Sequence, residues 1–298
     1  MKREVARLAS LLLLAVMAWG AVSCGSDSDD DMGGDNPMDP PQFESSSALY
    51  KVTDTDSNYK SVEFTASGNY IITTRGNVQA PATRSYGADG NVLFGTYIKN
   101  DDTFVLDGFG TIVVNGRGSD TVSLVIKTNS GEMVTVEARL WRQYRSSGKT
   151  DMLCRTWKLD KIWLYSKMQG QVLIDQYYDN YREFLKAVYD MEGEKYTEKD
   201  LDIVQAWEPV QVIFTKSGSY IVFYVDGTLS ACYWKWQDES IGELCYSWNY
   251  ETLDDPTKSG VINIDFGDSQ LLITEYFFID YQSANNVAYA QYIMSEVK

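Results

Sequence analysis

The side chains able to do chemistry are unevenly supplied. The 298 residues include 42 Asp and Glu, 26 Lys and Arg, 4 Cys and 8 Trp, and no His. Without an imidazole there is no Ser-His-Asp or Cys-His nucleophile and no His-ligated metal. Carboxylate pairs could still act as acid and base, but no spacing singles out one pair among so many. No catalytic residue, metal or cofactor is therefore assigned. Aromatic rings are what stand out, with Trp157, Trp163, Trp207, Trp234, Trp236 and Trp248 all in the second half. Such rings either fill a core, each burying about 150–250 Å², or line a pocket where an apolar or sugar-like ligand stacks. Trp157, Tyr220, Trp234, Trp236 and Trp248 form the candidate ligand-binding set. Trp234 and Trp236 are two apart and so share one face of a strand.

Of the four cysteines, Cys154, Cys232 and Cys245 are an odd set, so at least one thiol stays unpaired. In "ACYWKW" the apolar set is Cys232, Trp234 and Trp236; in "GELCYSWN" it is Leu244, Tyr246 and Trp248. Placing both sets on one face turns Cys245 to the other, because side chains alternate with period two. Free thiols are expected.

Cys24 stands apart. Lys2, Arg3 and Arg7 precede an apolar run from Leu8 to Val22, too short for the roughly twenty residues of a membrane span. Residues 1–23 read as a secretory signal. Ala21-Val22-Ser23-Cys24 resembles a bacterial lipobox, which implies that Cys24 is acylated (palmitate-type chains) and anchors the protein to the outer membrane. Ser28-Asp29-Asp30-Asp31 resembles the surface-export signal of lipoproteins in the Bacteroides group, implying display on the cell exterior. Residues 24–47, rich in Asp, Ser, Gly and Pro, cannot bury enough surface to fold and read as a tether.

The chain carries a formal net charge of −16. That balance argues against a nucleic-acid partner, whose affinity rests on Lys and Arg neutralising phosphates.

The elements that must position the aromatic rings read as strands. "TVSLVIKT", "EMVTVEARLW", "GVINIDFG" and "QLLITEYFFI" alternate with turn signals every eight to twelve residues. An internal repeat organises them: "FTASGNYII" from Phe64 matches "FTKSGSYIV" from Phe214. Asp89-Gly90 then aligns with Asp226-Gly227, Tyr97 with Trp234 and Tyr50 with Trp157. Each half offers about eight strands in meander order, which closes into an up-and-down barrel and removes exposed edges. The expected fold is mainly β, with two antiparallel up-and-down barrels at 48–145 and 151–298. The second half, with "LCRTWKL", "FTKSGSY" and "WKW", resembles the lipocalin-like domains of surface lipoproteins in that bacterial group. The resemblance implies a barrel with a potential ligand cavity. Arg155-Thr156-Trp157 stands where lipocalins have G-x-W, so the match is partial.

The second copy carries extra residues between its first two repeat strands. "LIDQYYDNYREFLKAVYDM" places Ile174, Tyr177, Tyr181, Phe184, Leu185 and Val188 on one helical face. "YTEKDLDIVQAW" opens with Thr197-x-x-Asp200, a capping box, and must end before Pro209. A helical insertion over 171–207 is expected, either a lid over the barrel mouth or a plug completing its core. Function follows as an expectation: a surface-anchored lipoprotein binding a small apolar or glycan-type ligand without catalysis. The alternative is a structural or protein-partner-binding component of an outer-membrane assembly.

Overall fold

The computed structural model describes residues 48–75, 92–141, 147–279 and 285–297. Cys24, the signal segment, the tether and Asp89-Gly90 lie outside the described residues. The first eight strands are β1 (Ala48–Val52), β2 (Tyr59–Phe64), β3 (Asn69–Thr74), β4 (Val92–Asn100), β5 (Thr103–Leu106), β6 (Gly110–Asn115), β7 (Thr121–Thr128) and β8 (Met133–Trp141). Each pairs antiparallel with the next, and Tyr50 opposite Leu140 closes β1 onto β8. Tyr50, Phe64, Ile112 and Leu124 fill the interior, with Phe64 stacked on Phe104 at 3.7 Å.

The second barrel follows a short helix, α1 (Gly148–Leu153), capped by the Ser147 hydroxyl accepting from the Thr150 N–H. Its elements are β9 (Thr156–Met168), β10 (Gln171–Tyr178), α2 (Tyr181–Glu192), α3 (Glu198–Gln205), β11 (Pro209–Phe214), β12 (Ser219–Tyr224) and β13 (Leu229–Asp238). Then come β14 (Glu243–Ser247), β15 (Gly260–Gly267), β16 (Gln270–Ile279) and β17 (Val287–Glu296). The start of β9 pairs with β11 and its whole length with β17, so eight strands close and β10 is carried outside as a ninth. Two closed eight-stranded antiparallel barrels result, as the meander pattern required.

The repeat is real in three dimensions. Phe64 faces Tyr70 and Phe214 faces Tyr220 in identical hairpin register. Each turn ends on a glycine with positive φ, Gly68 at 83° and Gly218 at 95°, a conformation that favours glycine.

The insertion corrects the expectation in part. Gln171–Tyr178 is a strand, not the first turns of a helix. Gln169 and Gly170 both have positive φ, the two-residue hairpin turn matched to strand twist. β9 and β10 therefore pair, with Tyr177 opposite Trp163. Helix begins only at Tyr181, where the Asn180 side chain accepts from the N–H groups of Arg182 and Glu183. The Thr197–Asp200 capping box forms in full. Phe184, Leu185, Val188, Leu201 and Val204 are completely buried in the same core as Leu164, Tyr220 and Trp234. The buried face of the two helices is thus part of the barrel's core. At the other end α1 closes the barrel with Leu153, whose carbonyl accepts from the Trp157 indole.

The two barrels pack wall to wall through residues facing outward from each. Ile71 and Phe94 meet Ile221 and Phe223, and Leu49 meets Tyr233 and Cys245. Polar groups are enclosed as well. Glu63 is completely buried and accepts from the hydroxyls of Ser217 and Ser219. The Tyr233 hydroxyl bonds Ser61 at 2.9 Å. Lys51 lies over the rings of Trp141 and Tyr250. β1, β2 and β3 are consequently buried on both faces, and their residues read as near-continuous buried runs.

Candidate functional site

The structure gathers four of the five expected ligand-binding residues into one core. Tyr220 is stacked flat on Phe214 at 4.4 Å. Trp234 is 1% exposed and donates from its indole to the Thr215 carbonyl. Trp157 is 3% exposed, and half-buried Trp236 donates to the Thr150 hydroxyl of α1. Each of the three indoles donates a hydrogen bond, and Trp157, Tyr220 and Trp234 are buried in this core while Trp236 lies at its edge. Trp248 leaves the group: it is 42% exposed. β14 ends at Ser247 and the chain turns into a 3-10 turn at Tyr250–Thr252, so the alternation that would aim Trp248 inward stops one residue short.

The cysteines follow their parity. Cys232 lies in the barrel interior and Cys245 in the wall between barrels, where it opposes Lys235 across the ladder. Cys154, Cys232 and Cys245 are all free thiols. Burial pushes Cys154 up to about 12, so it stays protonated and inert at neutral pH.

Accessible aromatic rings lie elsewhere, on the outer wall of the second barrel. The register of β10, β9, β17 and β16 places Tyr177, Trp163, Gln291 and Thr274 side by side in one row. Asp175, Tyr165, Tyr289 and Tyr276 form the next row. Four strands at about 4.8 Å spacing make a strip roughly 14 Å across. Trp163 stacks on Tyr177 at 5.7 Å and meets Tyr289 edge-on at 5.4 Å. Tyr165 stacks on Tyr289 at 5.3 Å, and Tyr276 adds an edge contact. Tyr177 is 54% exposed and Tyr276 40%. Hydrogen-bonding groups are interleaved: the Trp163 indole donates to Asp175 at 2.8 Å, and Gln291 donates to Thr274 at 2.9 Å. Lys161 sits over the Tyr177 ring at 4.9 Å. Burial, with smaller effects from Tyr276, Tyr165 and Asp175, pushes Tyr289 up to about 12, so its hydroxyl remains a donor at physiological pH. Aromatic–aromatic pairs add about 0.5–1.5 kcal/mol each beyond burial, which holds the rings in place.

These residues were not singled out from the sequence. The signal was present: Gln169-Gly170 between "WLYSKM" and "QVLIDQYY" is a hairpin pattern whose alternation puts Trp163, Tyr165 and Tyr177 on one face. Reading 171–178 as helix hid it.

A second unusual group lies inside the barrel. Glu275 on β16 is 4% exposed, and neither carboxyl oxygen has a hydrogen-bond partner among the described residues. The hydroxyls of Tyr220 and Tyr292, both fully buried, are likewise without partners there. The Tyr292 hydroxyl acts on the carboxyl and opposes part of the effect of burial. Burial holds Glu275 well above the ordinary carboxylate range, which favours its protonated form. Each unmet buried group costs about 1–3 kcal/mol.

Among the described residues no cluster of Cys, Asp and Glu could hold a metal ion, and no helix is long and apolar enough to cross a membrane. The fold and its surfaces define a two-barrel β protein with an aromatic outer face. Comparison with protein-family models finds no match, and comparison with curated protein sequences finds no significant relative.

Proposed function

We propose that the protein is a lipid-anchored surface lipoprotein that binds glycan chains, without catalysis, on the outer aromatic face of its second barrel. The observation that carries this reading is the outer strip in which exposed Tyr177 and Tyr276 flank half-buried Trp163, Tyr165 and Tyr289, with Asp175 and Gln291 between the rings. Sugars present apolar C–H faces to aromatic rings and hydroxyls to carboxylates and amides, and the strip offers both. A solvent-facing aromatic cluster costs solubility unless it serves recognition. Net charge −16 favours neutral over sulfated chains. Anchoring rests on the Ala21-Val22-Ser23-Cys24 motif, since several acyl chains hold where a single one releases.

Affinity electrophoresis against neutral and sulfated polysaccharides tests the binding. Retardation by a neutral chain is expected, with at least tenfold loss in Trp163→Ala and Tyr177→Ala and no change in Trp248→Ala. Equal loss in Trp248→Ala, or retardation only by sulfated chains, sinks the reading. Labelled palmitate should enter the wild-type protein and not Cys24→Ala.

One observation favours a protein partner instead. Among the described residues no strand pairs with the far edge of β10, and a groove of about 400 Å³ runs between it and α2, past Leu173, Gln176 and Met191. An extended peptide adding to that edge fits such a groove. Loss of a crosslinked protein partner in Leu173→Lys, with glycan binding intact, would mark this second reading.

A further inference from the structure

β10 is the open margin of the second barrel's sheet. It pairs with β9 on one side, and among the described residues no strand pairs with the other. Folded proteins guard such edges with Lys, with Pro or by keeping them very short. β10 runs eight residues with neither Lys nor Pro, and Asp175 is its single charge. Val172, Leu173 and Tyr177 stand exposed along it. Its ladder to β9 is regular from Ile174 to Tyr178.

The hairpin fixes which backbone groups are free. Across a two-residue turn the flanking pair, here Met168 and Gln171, exchanges both bonds. Alternation along β9 carries the same bonding to Leu164 and Gln176. Gln176 therefore spends its N–H and carbonyl on β9, and those of Asp175 and Tyr177 point outward from the edge. An added antiparallel strand must bond at those two residues.

A second copy of β10 meets this demand about a two-fold axis normal to the sheet, which sets one residue opposite itself. Asp175 opposite Asp175 would face two carboxylates against each other, which destabilises. Tyr177 opposite Tyr177 leaves only 176–178 overlapping. With Gln176 opposite Gln176, residues 174–178 all pair, and the free backbone groups of Asp175 meet those of Tyr177. On the outer face each Asp175 carboxylate then stands beside the other copy's Tyr177, over whose ring Lys161 holds an ammonium at 4.9 Å. This register is complementary in charge as well as in backbone bonding.

We infer that two copies of this chain join edge to edge through β10, in register at Gln176, to form one continuous sheet. This rests on the reading of β10 as a partner-binding edge and names the partner. The axis leaves both outer faces on the same side. The row holding Trp163 and Tyr177 in one copy thus runs on into Asp175, Tyr165 and Tyr289 of the other, so that the aromatic strip is shared between copies.

Sedimentation velocity of residues 25–298, which keep both barrels whole and carry no acylated cysteine, reads the mass. The expected result is a dimer that dissociates on dilution. Gln176→Lys, which sets two ammonium groups against each other across the axis, should be monomeric where wild type is dimeric. Gln176→Cys under mild oxidation should give a disulfide-linked dimer, since the Cα atoms of such a pair lie about 4.5 Å apart. Asp175→Cys should not, because its two copies are diagonal at about 7–8 Å. Wild type, whose free thiols are Cys154, Cys232 and Cys245, should not crosslink either. A monomer at every concentration, a crosslink in Asp175→Cys rather than Gln176→Cys, or an undiminished dimer in Gln176→Lys overturns the inference. A monomer that captures another protein, lost in Leu173→Lys, also overturns it and leaves the partner reading standing. Mass and crosslink are read without polysaccharide, so they hold or fail apart from the glycan reading. The wild-type mass decides even if a variant does not fold.

Discussion

The Tyr97 hydroxyl donates to the Thr65 carbonyl at 2.9 Å in the first barrel, and the Trp234 indole donates to the Thr215 carbonyl at 3.2 Å in the second. Their backbones agree too, each N–H donating to the carbonyl of the turn glycine, Gly68 or Gly218. The two rings thus lock equivalent hairpins from equivalent strands. Trp234→Ala should cost about 3–5 kcal/mol, the usual range for emptying a large aromatic site. Trp234→Tyr, which restores the residue type of the first barrel, should cost less. Urea unfolding of the two variants checks the order; equal losses would deny the shared role.

Glu63, enclosed between the barrels, ties stability to pH. Burial raises its folded-state pKa, against which the hydrogen bonds from Ser217 and Ser219 act only in part. The folded protein therefore holds a proton that the unfolded chain has already lost. Its contribution is complete below about 4.5 and falls as pH rises toward the folded value. The melting temperature of wild type relative to Glu63→Gln should drop between pH 4 and pH 8, as read by circular dichroism. A constant difference would show that the carboxyl is not buried in solution.

Lys51 acts in the opposite direction. Burial lowers it from 10.5 to about 7, with Glu251 opposing. Between those values the unfolded chain holds a proton that the folded one lacks, so stability rises with pH across that window. Relative to Lys51→Met, wild type should gain thermal stability from pH 7 to pH 10 and show a flat difference below pH 6. A flat difference throughout would place the ammonium in solvent.

The helical insertion has its own test. Phe184, Leu185, Val188, Leu201 and Val204 are all completely buried against the barrel interior. Replacing residues 171–207 by a short Gly-Ser link should abolish cooperative thermal unfolding of the second barrel. A barrel that still melts cooperatively would make the insertion a lid.

Much of this architecture was readable along the chain. Alternating strands, the Ser-Gly turns of the two repeat hairpins, the parity that separates Cys232 from Cys245, and the Thr197–Asp200 cap are all relations among neighbours a few residues apart. Period two and capping chemistry are local, so the order of residues expresses them directly. The same logic failed at Trp248, where the strand ended, and at Gln171–Tyr178, where a helical spacing competed with a hairpin turn.

What the sequence alone determined is two meanders that each bury one face and so must close. Which outward faces then meet was decided only in space. Glu63, Lys51 and Ile71 look like wall residues turned to solvent until the other barrel covers them, and Glu275 looks like one more acid among 42 until the barrel closes around it. Trp163, Tyr165 and Tyr177 look like core until β10 pairs outside the barrel and leaves them on its surface. Burial of a side chain is set by the surfaces that approach it from distant parts of the chain, and no local period carries that information.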